Sequence, residues 1–333
     1  MSGVEGLNPY ARIIAEEALR RGVHVEVTDG GWGEMRLSHG GRSILTRESL
    51  SELTSAVASS RCDDKRVTRR LLAGAGVPVA RGHEVTDGEV GPAEERFLAE
   101  VGELVVKPAR GEQGRGITVG VTDVEALRTA VTLAAHHCPD VLLEQRVPGE
   151  DVRVLVIGAE VVAAAVRRPA AVVGNGHDTV ADLVRAQSRR RLRSTAGESS
   201  IPLDAVTEAV VRAAGHELGD VLGEGIRLQV RRTANLHTGG TIQDCTDELS
   251  LPIREAAVLA ARTIGIPVTG IDVMAPDVTG AEFTFIEANE RPGLANHAPR
   301  PTAARFVDLL FPATAAPRPP RPGGRPRPAT MPG

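Results

Sequence analysis

Three oxygen-bearing side chains late in the chain have the types and spacing of a divalent-cation site. In the segment FIEANERPG, Glu287 and Asn289 stand two apart in a strand pattern, so both side chains leave one face. Asp272 lies in GIDVM among Ile271, Val273 and Met274, where a carboxylate is costly unless it is paired or bound to a cation. Carboxylate and amide oxygens are hard ligands that suit Mg²⁺ on nucleotide phosphates. The competing reading is a structural ion pair with one of the arginines.

Two further segments point to an anion. In LVVKPARGEQGRGITVG a strand delivers Lys107, and Gly111, Gly114 and Gly116 allow a loop whose backbone amides can close on phosphate. A strand follows the loop, which separates it from a P-loop and from a dinucleotide fingerprint. Strand, glycine loop and strand form a flap of the kind that covers a nucleotide triphosphate. Lys65 falls in the first turn of a helix, where the dipole disfavours a cation unless an anion is also present. In LLEQRVPGEDVRVLVIG, Glu144 at a strand end can face an adenine edge, and Asp151 can reach ribose hydroxyls. VRRTANLHTGGT sets Arg231, Arg232 and Asn235 beside paired glycines, which suits charge developing on a transferring phosphoryl group.

Composition sharpens the weight on the lysines. Of 39 basic residues among 333, only Lys65 and Lys107 are lysine. A chain so depleted retains the compact ammonium where a planar guanidinium would not serve. The net charge of -4 and aromatic content of 2% argue against nucleic acid as a partner. No apolar run approaches the roughly 20 residues that span a bilayer, and the N-terminus lacks a signal pattern, so no membrane partner and a cytoplasmic location are expected. Cys62, Cys138 and Cys245 are far apart and fit a reducing compartment. His136-His137-Cys138 resembles a metal cluster, but neighbours on a helix diverge by about 100°.

The elements that must position these residues alternate between helices and strand pairs, an α+β pattern rather than one parallel sheet. Residues 1–60 read as a small αβ unit: a helix over Tyr10–Arg21, strands over Val23–Thr28, Glu34–Leu37 and Ser43–Thr46, and a helix near Glu48–Ser59. Val67, Leu71 and Leu72 keep helical spacing after Asp63-Asp64. A capping box at Thr122 and Glu125 opens another helix. Val152–Ile157 and Val161–Val166 form a hairpin around Gly158. A final helix runs from Pro252 to Ile264, with Gly265 as its stop. The Pro- and Arg-rich residues 312–333 read as a disordered tail.

In order and spacing these motifs resemble the ATP-grasp superfamily. Within it the chain resembles the ATP-grasp parts of N-acetylglutaminylglutamine synthetases and of cyanophycin synthetases. The resemblance runs from about Ala11 to Phe311 and is densest in RESLSELTSAVASSRCDDKRVTRRLL, VVKPARGEQGRGITV, NLHTGGTIQDCTDEL and IEANERPGLANHAP. It implies two α+β subdomains clasping ATP, over residues 61–142 and 143–311, behind a small αβ domain over 1–60. It also implies an ATP-dependent carboxylate–amine ligase working through an acyl phosphate. The substrates would be small molecules, amino acids or a dipeptide.

On matching positions, Lys65 and Lys107 would hold phosphates and adenine, under the loop Gly111–Gly116 with Gln113. Glu144, Gln145 and Val147 would take adenine, and Asp151 ribose. Asp272, Glu287 and Asn289 would ligate two Mg²⁺ ions, or Mn²⁺. Arg232 and Asn235 would steady the transferring phosphate. Some relatives carry an arginine where this chain has Gly270, so the oxyanion role falls to Arg167 or Arg168. No acetyltransferase domain precedes the ligase, so an acetylated acceptor would come from another protein. Homo-oligomers fit the same family. The rival functions are a non-catalytic ATP-binding sensor or scaffold, and a carboxylate kinase.

The lysine reading makes a first prediction. Lys107→Arg keeps the charge but not the ammonium, and should raise the ATP KM or abolish turnover. Wild-type kinetics for this variant would reduce the lysine signal to chance.

Overall fold

A computed structural model describes residues 3–86, 88–111, 114–195, 197 and 199–315. Helix α1 (Pro9–Arg20) begins where the Asn8 side chain accepts from the Ala11 amide at 3.0 Å. Strands β1 (His24–Asp29), β2 (Glu34–His39), β3 (Arg42–Arg47) and β4 (Leu50–Ser51) pair antiparallel in that order. The helix expected near Glu48 starts later than its sequence suggests. Glu48 sits in the left-handed region at φ 52°, and helix α2 (Ala56–Asp63) opens only after Ser55 caps it. Asp64 then caps α3 (Lys65–Gly74) by accepting from the Arg66 amide, while Arg66 holds its carboxyl down at about 2 against the upward pull of burial.

A second sheet carries the glycine loop. It comprises β5 (Gly82–Val85), β6 (Leu104–Pro108), β7 (Thr118–Val121) and β8 (Val141–Gln145), paired antiparallel in the order β5-β8-β6-β7. Helix α4 (Pro92–Val101) precedes β6. Helix α5 (Val124–Ala135) lays Leu127 and Val131 on Leu104, Val106 and Leu143. Its cap is Asp123, which accepts from Ala126 at 2.8 Å, and not Thr122.

The largest sheet follows, with order β13-β10-β9-β14-β15 and antiparallel throughout. Strands β9 (Glu150–Ile157) and β10 (Glu160–Arg168) form the expected hairpin. Between β10 and β13 the chain builds a small separate core from β11 (Ala171–Val173), α6 (Val180–Ser194), α7 (Ala205–Ala213) and β12 (Arg227–Gln229). Strand β13 (Thr241–Asp244) and helix α8 (Leu251–Ile264) lead to β14 (Val268–Ala275) and β15 (Thr284–Asn289). Helix α8 is not the last. Helix α9 (Thr302–Leu310) follows, burying Phe306, Val307 and Leu310, and Pro312–Thr314 makes one further turn of the segment read as a tail. Residues 316–333 lie outside the described residues.

The two faces of this sheet explain its composition. Strand side chains alternate, so Val152, Val154, Val156, Ile271 and Val273 share one face and pack with Ile253, Ala257, Ala260 and Ile264 of α8. On the opposite face the character changes along β9. Ile157 and Leu155 join a core with Ile14, Met35, Leu37 and Phe306, whereas Arg153 and Asp151 are charged. The N-terminal unit and α9 therefore cover only the apolar end, and the polar end is left to a site.

His297 marks that boundary. It ends the short turn Leu294–His297, is buried, and its Nδ1 has no hydrogen-bond partner among the described residues. Burial first, and then the charge of Arg153, push its pKa from 6.5 down to about 4; Asp244 pulls the other way, and Arg167 adds a smaller downward push. The unfolded chain takes up this proton near pH 6.5 and the folded chain only near 4. Its contribution to stability is therefore complete above pH 6.5 and is lost as pH falls through about 4, by about 3 kcal/mol in all. Thermal melts of His297→Gln against wild type should show a flatter stability curve between pH 6.5 and 4 in the variant. Equal slopes would remove His297 from the linkage.

Candidate active site

Strand register assembles the polar cluster. Asp272 on β14 lies opposite Arg153 on β9 and Glu287 on β15; Gly270 lies opposite Asn289; and Asp151 on β9 lies opposite Arg167 on β10. The three oxygen donors expected at the cation site therefore meet on one face. Asn289 Nδ2 is 3.2 Å from the Gly270 carbonyl and 3.5 Å from Asp272 Oδ2. Asp272 is buried, and two guanidiniums compensate it. Arg153 donates through Nε to Oδ1 and through Nη2 to Oδ2 (3.0 Å), and Arg167 Nη2 lies 2.9 Å from Oδ2. Burial pulls the Asp272 pKa upward, but the two arginines outweigh it and hold the group ionised. Asp151 takes two bonds from Arg167, and burial there pushes its pKa up.

Among the described residues no group of three or more His, Cys, Asp or Glu side chains is placed to hold a metal ion. The fit to Mg²⁺ rests on two carboxylates and one amide of the right hardness on one face, with Asp272 and Glu287 each satisfied by protein cations. His136, His137 and Cys138 make no such group.

Both lysines are buried and face carboxylates. Lys107 Nζ lies 2.5 Å from Glu144 Oε2, tying β6 to β8 in the second sheet. Lys65 opens α3, and its backbone N donates to the Ala109 carbonyl at 3.0 Å. Its Nζ donates to the Gly111 carbonyl at 2.8 Å and lies 3.0 Å from Glu287 Oε1. One ammonium thus touches the base of the glycine loop and a carboxylate of the expected cation site. Gly111, Gly114 and Gly116 all have positive φ (131°, 74° and 71°), the reason this loop uses glycine. Gln113 lies outside the described residues. Gln145 donates its amide to the Arg81 carbonyl, and Val147 is half-buried beyond the end of β8.

The segment after β12 borders the same region. Arg232 Nη1 donates to the Val119 carbonyl of β7 at 2.6 Å, so it reaches the strand that follows the glycine loop. The Asn235 side chain accepts from the His237 amide at 2.9 Å and caps a short turn. Arg231 is buried against Asp204 at 2.6 Å and is a packing residue of the small lobe. Within the run Arg189–Arg193 of α6, Arg191 turns inward to Ser199 and the Gly240 carbonyl. Arg168 points away from Asp272, to Gln243 (2.6 Å) and Glu150 (3.4 Å). The Cys62 thiol, pushed to about 12 by burial and by Glu290 and Glu287, is no nucleophile.

Sequence reasoning passed over Arg153 and His297. The first had a visible signal, a charged residue in the otherwise apolar run Val152–Ile157 and in phase with Asp151. The second had none, because a lone histidine after a Pro-Gly turn looks like any loop residue.

No protein-family model matches the chain. Cyanophycin synthetase from Nostoc sp. (strain PCC 7120 / SAG 25.82 / UTEX 2576) is 30% identical over 334 residues, covering 92% of this chain and 35% of that protein. The glutathione biosynthesis bifunctional protein GshAB of Streptococcus thermophilus (strain CNRZ 1066) is 27% identical, covering 95% of this chain and 44% of that protein. The chain thus spans less than half the length of these relatives. A bifunctional glutathione synthetase from Pasteurella multocida superposes with a TM-score of 0.65 at 25% identity, over 92% of this chain and 44% of that one. D-alanine–D-alanine ligase from Bacillus anthracis shares the fold at a TM-score of 0.51 and 16% identity, over 78% of this chain and 70% of that one. Sheet order, glycine loop and relatives agree on an ATP-grasp fold, and the chain is similar to ligases of that kind over 92% of its length.

Proposed function

We propose that this protein is an ATP-dependent carboxylate–amine ligase that joins amino acids, or an N-acylated amino acid, through an amide bond. The observation that carries the reading is the Lys65 ammonium, which lies between the Gly111 carbonyl and Glu287 and so joins the glycine loop to the cation-site strand. In this reading Lys65 and Lys107 neutralise phosphate charge and the loop Gly111–Gly116 excludes water. Glu144 and the Gln145–Val147 backbone take adenine, and Asp151 takes ribose. Asp272, Glu287 and Asn289 hold Mg²⁺, which when bound offsets the charge of the β- and γ-phosphates. Arg232 and Asn235 face the transferring phosphoryl group.

The chemistry balances in two steps. A carboxylate oxygen of the acid attacks the γ-phosphorus, and the bond to the β-bridging oxygen breaks, its electron pair leaving with ADP. The amine nitrogen then attacks the acyl carbon, and the C–O bond to phosphate breaks. Carboxylate, ammonium and ATP give amide, ADP, hydrogen phosphate and one proton. An acetylated acid would come from another enzyme, and cytoplasmic ATP and Mg²⁺ would supply the reaction.

Incubation with ATP, Mg²⁺ and a panel of free and acetylated amino acids should yield ADP and an amide in equal amounts. No ADP and no amide across the panel would defeat the reading; hydroxylamine-trappable acyl phosphate without an amine requirement would make the protein a carboxylate kinase. Glu287→Gln, a near-isosteric change at a partly exposed side chain, should lower kcat by about 100-fold or more when assayed below its melting temperature, which should fall because the buried Lys65 ammonium loses its carboxylate.

A further inference from the structure

Gly270 is a glycine without a backbone reason. It lies inside β14, with no positive φ to require it. The reason is space. A Cβ built there would come within 2.9 Å of Arg153 Cδ, 3.1 Å of Pro292 Cβ and 3.2 Å of Arg153 Nη1. The Arg153 side chain crosses from β9 over Gly270 to reach Asp272, and it fills the volume that a longer residue at position 270 would occupy.

Two polar groups of this face have no protein partner. Nε and Nη2 of Arg153 are used on Asp272, and among the described residues no acceptor lies against its Nη1, which projects over Gly270. The buried His297 Nδ1 is likewise unmatched. The buried His297 nitrogen is costly to leave unpaired, and the Arg153 Nη1 edge is open to a ligand beside it. Arg167 is less available, since it is shared between Asp151 and Asp272, and Arg168 points elsewhere.

We infer that Arg153 is the guanidinium that meets the reacting carboxylate and its incoming phosphoryl group, delivered from β9 across the space that Gly270 leaves. This replaces the expectation that Arg167 or Arg168 fills that role, and it rests on the ligase reading above. A planar fork can keep Asp272 on one edge and offer the other edge to an anion, which a lysine cannot do.

The test uses the full chain with ADP, Mg²⁺ and aluminium fluoride, a mimic of the phosphoryl group in transfer. Wild type should melt higher with all three than with ADP and Mg²⁺ alone. Arg153→Ala and Arg153→Lys should keep the shift given by ADP and Mg²⁺ and lose the extra shift from aluminium fluoride. In turnover both variants should lose about 100-fold or more in kcat, with the ATP KM within about threefold of wild type. Guanidinium chloride at tens of millimolar should restore part of the Arg153→Ala activity. Arg153→Lys keeps a charge beside Asp272, so it tests the role even if the alanine variant fails to fold.

The proposal is overturned if the lysine variant keeps the aluminium fluoride shift and a kcat within threefold of wild type. It is also overturned if the ADP shift disappears in parallel, which would make Arg153 a support of the nucleotide site. Wild type that shows no nucleotide shift and releases no ADP would sink the ligase reading itself and this role with it, a result seen before any variant is made.

Discussion

A carboxylate buried in mid-sheet sets the terms for the rest of this molecule. Asp272 stays ionised because Arg153 and Arg167 reach it from the two neighbouring strands on one side. A lone carboxylate there would protonate or unfold its surroundings, since desolvation of an unpaired charge costs several kcal/mol. Asp151 completes a group of two acids and two arginines whose formal charges cancel. A bound Mg²⁺ ion would upset that balance, and the arginines would then carry surplus charge. In the proposed reading an anionic substrate would restore the balance, so binding of the cation and of the acid would be electrostatically coupled.

This cluster requires a sheet face that is charged at one end and apolar at the other. The N-terminal unit is what covers the apolar end, and it is also fastened beside the cluster. Glu48, strained at φ 52°, pairs with Arg291 at 2.6 Å and accepts from Asn8, while Ser49 donates to the Pro292 carbonyl. Arg291 and Pro292 follow Asn289 after a single residue, Glu290. A non-glycine residue in this conformation costs on the order of 1 kcal/mol and persists only where its surroundings hold it. The fold of the first 60 residues thus bears on the placement of the loop after β15.

Much of this was readable from residue types. Glu287 and Asn289 share a face because a strand has period two, and Asp272 was conspicuous as a charge among apolar neighbours. The glycine loop announced a need for positive φ, which Gly111, Gly114 and Gly116 all show. Pairing between distant strands was not readable. Nothing local says that Arg153 lies opposite Asp272, 119 residues away, or that Gly270 is small on account of a side chain from another strand. Local propensity also misplaced the helix near Glu48, where the demands of β4 and of the Arg291 contact prevailed. Helix α9 went unread because it is short and follows the closely spaced Pro299 and Pro301, and docking against α1 and β9 gives it reason to form.

The two lysines now have a physical account beyond their rarity. Each ammonium is buried and meets a carboxylate, Lys65 with Glu287 and Lys107 with Glu144. Lys65 also gives a bond to a backbone carbonyl, so its donors diverge toward partners on two elements. A guanidinium keeps its donors in one plane, which suits Arg153 lying flat between a carboxylate and an open face but not a point contact between loop and strand. In a chain otherwise committed to arginine, the choice between the two cations follows the geometry of what each must touch. Lysine stands where charge is focused at a junction, and arginine where it is spread across a sheet.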